Sequence, residues 1–346
     1  MTEASTRQLV ADVPGPDEVI SVAVDAMGAD FEPATAVAAA ALALSRDDRL
    51  SIRIFGDGER LDQALASVPA ALAGRIERIA CSDQVEMTTR PAEALRRHQR
   101  SSMALGLEAV RCGQARAMVS AGNTGALMVL ARSRLGMLPG VERPALMTAF
   151  PVVDGQAWVL DLGANLGVDA ERLTEFAILG SAAVGALIGR PARVGLLNIG
   201  SEPTKGPDVV REAARRIGLT DIDLVGFVEG HDVFAGRADV VVCDGFAGNV
   251  LLKSAEGAVA MLLGEIDRSA GRFFAGPGLR RLRRTMRSRY DPANHNGASM
   301  LGVEGIVIKS HAHASVGGLS SAIGLAAMEV RRGMLPELER QLWAGV

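Results

Sequence analysis

Only three of the 37 basic Lys and Arg residues in this chain are lysines: Lys205, Lys253 and Lys309. Each follows a short apolar run and sits among small residues, in GSEPTKG, DGFAGNVLLK and VIKSHAHAS. Arginine offers a planar fork, whereas lysine offers a compact charge on a flexible stem that can follow a phosphate or a developing oxyanion. Asn249 lies four residues before Lys253, so on a helix the amide and the cation share a face. In SAGNTGALM, Asn123 and Thr124 stand between glycines. They suit either backbone N–H groups aimed at an anion or an ordinary N-cap turn. This inventory fits an anion held beside a carbonyl. Acyl transfer to inorganic phosphate needs little else, because phosphate is the nucleophile and a thiolate can leave; the protein has to position the anion and stabilise the oxyanion.

Other chemistries lack their residues. GSEPTKG is not a P-loop, since no GK[ST] follows, and GDGERL keeps only two glycines of a dinucleotide fingerprint. There is no GxSxG, and Cys243 sits in an apolar run that suits a core thiol. Cys81, Cys112 and Cys243 are too far apart for a CxxC pair, and His311 and His313 have no carboxylate cluster beside them. No metal and no cofactor are expected. A net charge of −3 and 3% aromatic residues argue against nucleic acid. Odd, scattered cysteines point to a reducing cytoplasm.

The elements that must carry these loops follow from the apolar runs. Strands are predicted at 19–25, 51–56, 75–81, 115–120, 194–199, 222–229, 239–243 and 302–309, with a hairpin of 146–153 and 156–162 around Asp154-Gly155. Helices are predicted at 33–44, 101–112 with Ser101 as cap, 169–188, 207–217, 319–332 and from 336. Strand and helix alternate, so the fold class is α/β, a single two-lobed domain over 19–346. Residues 1–18 read as a disordered extension rather than a signal peptide. No run is expected to reach the roughly 18 to 20 apolar residues that cross a bilayer. Residues 271–290 break the rhythm. Leu279, Leu282, Met286 and Tyr290 recur at helical spacing among six arginines that include Arg280 and Arg283. Such a segment suits an anionic membrane, an acidic partner, or packing on the core with a solvated basic face.

DAMGAD, SSMALGLEAV, SAGNTGALM, RPAL, DLGAN, EFAILGS, RVGLLNIGSEPTKG, VVVCDGFAGNVLLK and LGVEGIVIKSH occur in an order that resembles the bacterial phosphate acyltransferases of phospholipid synthesis. The resemblance spans nearly the whole chain. It implies a Rossmann-like three-layer α/β/α sandwich, similar to phosphotransacetylases and isopropylmalate-type dehydrogenases, with a helical hairpin at about 255–292. It implies a homodimer that forms acyl phosphate from acyl carrier protein and inorganic phosphate, without a cofactor, for a membrane acyltransferase to consume. By the same resemblance Lys205 and Asn249 are the expected catalytic pair. Asp25, Ser120, Asn123, Thr124, Asn165, Glu202, Asp244, Lys253, Lys309 and His311 are the expected substrate or phosphate contacts. The hairpin, with Phe273, Phe274, Leu279, Leu282, Met286, Arg280 and Arg283, is expected to meet the membrane or the acidic carrier protein, so the enzyme is expected in the cytoplasm, peripherally on the inner membrane face. Coenzyme A in place of carrier protein, and a non-catalytic membrane-bound scaffold, remain the alternatives.

Overall fold

Short runs of Val, Ile, Leu and Ala that break at Gly, Asp or Ser become buried strands, because both faces of the sheet are covered and alternation is not required. The computed structural model describes residues 13–28, 31–270, 277–290 and 296–344. Its strands are β1 (Ile20–Asp25), β2 (Leu50–Gly56), β3 (Ile76–Ala80), β4 (Ala117–Ser120), β5 (Ala145–Val152), β6 (Gly155–Leu160), β7 (Val194–Leu197), β8 (Leu224–Val228), β9 (Val240–Val242), β10 (Ala298–Leu301) and β11 (Ile306–Lys309). Among the described residues they form one sheet in the order β3-β2-β1-β4-β11-β10-β5-β6-β9-β7-β8. β3, β2, β1, β4 and β11 run parallel, as do β6, β9, β7 and β8. β10 and the β5–β6 hairpin join the two blocks by antiparallel pairs. Two separate clusters of buried apolar side chains lie beneath the helices.

Local chemistry sets the helix ends. Pro33 opens the alanine-rich helix Pro33–Arg46, where its missing N–H costs nothing. Ser101 caps Ser102–Arg111 by accepting from the Ala104 amide, and Asp169 caps Ala170–Ile188 through the Arg172 amide. The GDGERL segment is a capped helix start, with the Asp57 side chain accepting from the Arg60 amide.

Two expectations change, and a third falls mostly outside the described residues. The predicted strand at 302–309 is only β11; Gly302, at φ +97°, turns the chain between it and β10. Of the predicted N-terminal extension, residues 1–12 lie outside the described residues. Glu18, at its end, pairs with Arg116 at 3.1 Å. A helix long and apolar enough to cross a membrane does exist among the described residues: within Gly245–Arg268 an 18-residue stretch has a mean hydropathy of 1.3. The apolar run in sequence is interrupted by Asn249, Lys253, Ser254 and Glu256, but Val, Leu, Ala, Met and Phe fill most of the rest of its first nineteen residues, so the average there stays high.

One buried acid is set into the helix Val316–Arg331. Glu329 is fully buried; Ser299 donates to Oε1, Oε2 has no protein partner, and burial pushes its pKa up to about 8. A carboxyl that holds its proton more tightly when folded stabilises most below its unfolded pKa, and that contribution is lost as pH rises toward 8. Glu329→Gln is therefore expected to flatten the fall in stability between pH 5 and pH 8.5, by up to about a few kcal/mol at the alkaline end, read from melting curves across that range. Parallel melting curves for the two proteins would sink the assignment.

Candidate active site

Lys253 and Glu256 follow Asn249 at intervals of four and three residues on the helix Gly245–Ala270, so all three share one face. That helix leaves the carboxyl end of β9, and its first turn is pressed against the end of β6. A Cβ on Gly248 would lie 1.9 Å from the Asp161 carbonyl oxygen, so only glycine fits. The Asp244 carboxylate accepts from the Phe246 amide at 2.8 Å and from the Val168 amide at 3.1 Å, tying this turn to the GANLG loop.

The GANLG loop is itself organised by a residue that the sequence did not single out. Asp161 is fully buried and accepts from the amides of Leu146, Leu162, Ala164 and Asn165 at 2.9, 2.8, 3.3 and 2.6 Å. Burial raises its pKa against the pull of these donors. The available signal was its position, an aspartate closing a strand just before two glycines. The backbone of Gly163 comes close to Asn249: a Cβ there would meet the Asn249 Cβ at 3.5 Å.

A second set of loops comes from the other block of the sheet. Asp25, at the end of β1, accepts from the Met27 and Gly28 amides at 3.1 and 3.0 Å and from the Ser120 hydroxyl at 2.7 Å. Lys309, at the end of β11, one strand beyond β4, donates to the Ala121 carbonyl at 3.3 Å and to the Ser310 carbonyl. Burial pulls the Lys309 pKa down to about 8, Lys253 pulls the same way, and Asp25 opposes both. His311 is lowered mainly by burial and further by Lys253 and Lys309, with Glu256 opposing.

These two sets meet on a cavity of about 600 Å³, well within the range of about 300 to 1,000 Å³ usual for small-molecule sites. Thr124, Asn249, Lys253, Glu256, Lys309 and His311 are among its polar groups, with Thr148 and Ser310. Beyond Glu256 the same helix contributes Val259, Leu262 and Leu263, facing Phe150, Val152 and Phe234, and Met286 and Tyr290 of the helix Pro277–Tyr290 complete an apolar wall. Polarity therefore falls along the helix, from Asn249 to Leu263, over about 21 Å.

The remaining expected site residues are placed elsewhere. Lys205 and Glu202 are exposed in the loop after β7 and do not line the cavity. Asn198 ties that loop, donating to the Lys205 carbonyl at 3.0 Å. β7 pairs directly with β9, so Lys205 and Asn249 leave the same edge of neighbouring parallel strands. Ser120 is buried and engaged by Asp25 and by the Gly122 amide. Asn123 caps the helix Thr124–Leu135 and donates to the Met87 and Thr89 carbonyls. Asn165 donates to Asp161 and to the Pro144 carbonyl. Cys243 is buried, and burial pushes its thiol pKa up, which removes it as a nucleophile. Phe273 and Phe274 lie outside the described residues, as does the Leu279 side chain. Met286 turns inward to the cavity, and Arg283 pairs with Asp267 at 2.6 Å, while Arg280 and Leu282 are exposed.

Residues 20–336 match the family model described as fatty acid synthesis protein. A phosphate acyltransferase of Pseudomonas putida strain F1 is 45% identical over 326 residues, covering 93% of this chain and 97% of its own. The chain belongs to the phosphate acyltransferase family. It is thus an enzyme, an acyltransferase of fatty acid or lipid synthesis that uses phosphate. The fold of this phosphate acyltransferase is shared with a phosphotransacetylase from Streptococcus pyogenes, at a TM-score of 0.62 and 19% identity over 95% of this chain and 99% of that one. It is also shared with a 4-hydroxythreonine-4-phosphate dehydrogenase from Klebsiella pneumoniae, at a TM-score of 0.55 and 12% identity over 90% of this chain and 99% of that one. The expected Rossmann-like α/β sandwich is what is found.

Proposed function

We propose that this phosphate acyltransferase moves an acyl group from acyl carrier protein to inorganic phosphate, an early step of phospholipid synthesis. The observation that carries this reading is one cavity with two lysines and an amide at its polar part and an apolar wall beyond them. A phosphate oxygen attacks the thioester carbonyl, the tetrahedral adduct collapses, the carbon–sulfur bond breaks and the carrier thiol leaves. No covalent enzyme intermediate is needed. Lys253 and Lys309 hold phosphate, Asn249 donates to the carbonyl oxygen, and the acyl chain lies along Val259, Leu262 and Phe234. Lys205, from the strand next to that of Asn249, reaches the same anion from outside. Asp25, Asp244 and Asn165 brace the loops.

Acyl carrier protein plus phosphate, with release of carrier thiol followed, tests the reaction; faster turnover with acyl-coenzyme A would overturn the donor, and no phosphate-dependent release would leave a scaffold. Lys205→Ala is expected to lower kcat/KM by about 100-fold or more, the cost of losing one group that stabilises the transition state. Unchanged turnover in that variant would remove Lys205 from the site.

We further infer a cytoplasmic homodimer that rests on the anionic inner membrane face. Few residues of the helix Gly245–Arg268 are fully buried in the protomer, and it exposes Phe246, Val250, Met261 and Leu262. An apolar face of that extent is covered by a second copy or by lipid. Arg280, Arg281 and Arg284 are exposed on the following helix, where anionic lipid and acidic carrier protein are both complementary partners. The acyl phosphate then passes to a membrane acyltransferase.

A further inference from the structure

The overall reaction converts hydrogen phosphate and a thioester into acyl phosphate and a thiol, so one proton must leave the phosphate and one must reach the sulfur. Lysines that stay charged cannot accept the first. His311 lines the cavity beside Lys309, and its Nε2 lies 3.6 Å from Oε1 of Glu256. The other oxygen of Glu256 pairs with Lys253 at 2.8 Å. The carboxylate thus bridges the two blocks of the sheet, reaching from the helix after β9 to the loop after β11. Its side chain is the least exposed of the three, at 23% against 54% for Lys253 and 49% for His311.

We propose that Glu256 is a positioning residue that holds His311 as the proton carrier of the transfer. This inference rests on the phosphate-transfer reading above. His311 keeps its Nε2–H toward Glu256 and takes the proton of hydrogen phosphate at Nδ1 as the P–O–C bond forms, and Glu256 stabilises the imidazolium. As the carbon–sulfur bond breaks, the same proton passes from Nδ1 to the leaving sulfur, which departs as thiol. The charged groups that face His311 are Lys253 and Glu256 from the helix and Lys309 at the end of β11, and Asp25 faces Lys309 from β1. Glu256 is the carboxylate among those acting directly on the imidazole, so its removal leaves only cations acting on the ring.

Glu256 also occupies Lys253, so it competes with incoming phosphate for that cation. Removing the carboxylate is expected to act in two opposite directions. In Glu256→Gln, kcat falls about 10- to 100-fold, within the range that misplacing an acid–base group costs. KM for phosphate stays the same or falls. The acid limb of the kcat/KM profile, where His311 must be neutral to accept a proton, moves to lower pH because the imidazolium has lost its counter-charge. Glu256→Asp keeps the charge and is expected to leave that limb in place and to recover part of kcat. A carboxylate that only holds the helix would lower melting temperature and kcat together, with the limb unmoved, and that result overturns the proposal. NMR titration of the His311 ring, assigned with His311→Gln, reads the same coupling without any substrate. An unshifted ring pKa in Glu256→Gln also overturns it. Absence of acyl phosphate formation by the unaltered protein would instead defeat the reading of the reaction, and the titration would still report on the pair.

Discussion

Lys309→Met is expected to lower kcat by about 100- to 1,000-fold while leaving the protein as stable as before or slightly more so. The two effects come from one fact: a lysine largely shielded from water is kept charged near neutral pH by Asp25, which Lys253 and burial oppose. A pKa drawn down to about 8 means that the folded protein carries the cation at a cost of about 3 kcal/mol at pH 7. For a depressed pKa the stability is complete above the range of free lysine and is lost as pH falls through 8. Methionine removes that cost but also removes two hydrogen bonds, to the Ala121 and Ser310 carbonyls, worth about 1 kcal/mol each. The net change in stability is about zero to slightly favourable, whereas the loss in transition-state stabilisation is uncompensated. Activity of the unaltered enzyme is expected to fall as pH rises through about 8, and thermal melts with steady-state rates check both halves. A Lys309→Met protein that melts normally and still turns over would show that the cation plays no part in the reaction.

Val259→Trp is expected to separate donors by chain length. Val259 lines the apolar part of the cavity, ten residues beyond Asn249 on the same helix. An indole there displaces the far part of an acyl chain but leaves Asn249, Lys253 and Lys309 untouched. If about four methylenes lose their apolar contact at about 0.8 kcal/mol each, kcat/KM for long-chain donors falls roughly 200-fold. Donors of two to four carbons, which end before the substitution, keep their rate. The measurement is a series of acyl carrier proteins that differ only in chain length. A uniform loss across the series, or none, would place the acyl chain elsewhere.

The exposed face of Gly245–Arg268 and the arginines of Pro277–Tyr290 belong to one hairpin, joined by Arg283 and Arg287 on Asp267. Two of the six arginines are therefore spent on holding the helices together, and Arg289 donates to the Val152 carbonyl at 3.0 Å. Counting charges along the sequence could not separate these from Arg280, Arg281 and Arg284, since a guanidinium finds a carboxylate 16 or 20 residues away only once the chain has turned back.

Much of the framework was legible from local pattern alone. Apolar runs bounded by Gly and Asp located the strands, Ser101 and Asp169 marked helix starts, and Asp154-Gly155 announced the hairpin, because these features depend on a few neighbouring residues. The ordered set of motifs was specific enough to name the family. The sequence also pointed to Asn249 and Lys253 as a pair, since helical spacing is a local property. The tertiary structure alone decided which polar groups face the cavity. Ser120, Asn123 and Asn165 look like ligand groups in their motifs, yet their hydrogen bonds are taken up by Asp25, by the Met87 and Thr89 carbonyls and by Asp161. Glu256 gave no sign of its importance until β11 brought His311 to within 3.6 Å of it. That distance joins a helix and a loop 55 residues of chain apart, carried by the two separate blocks of the sheet, and no local spacing encodes it.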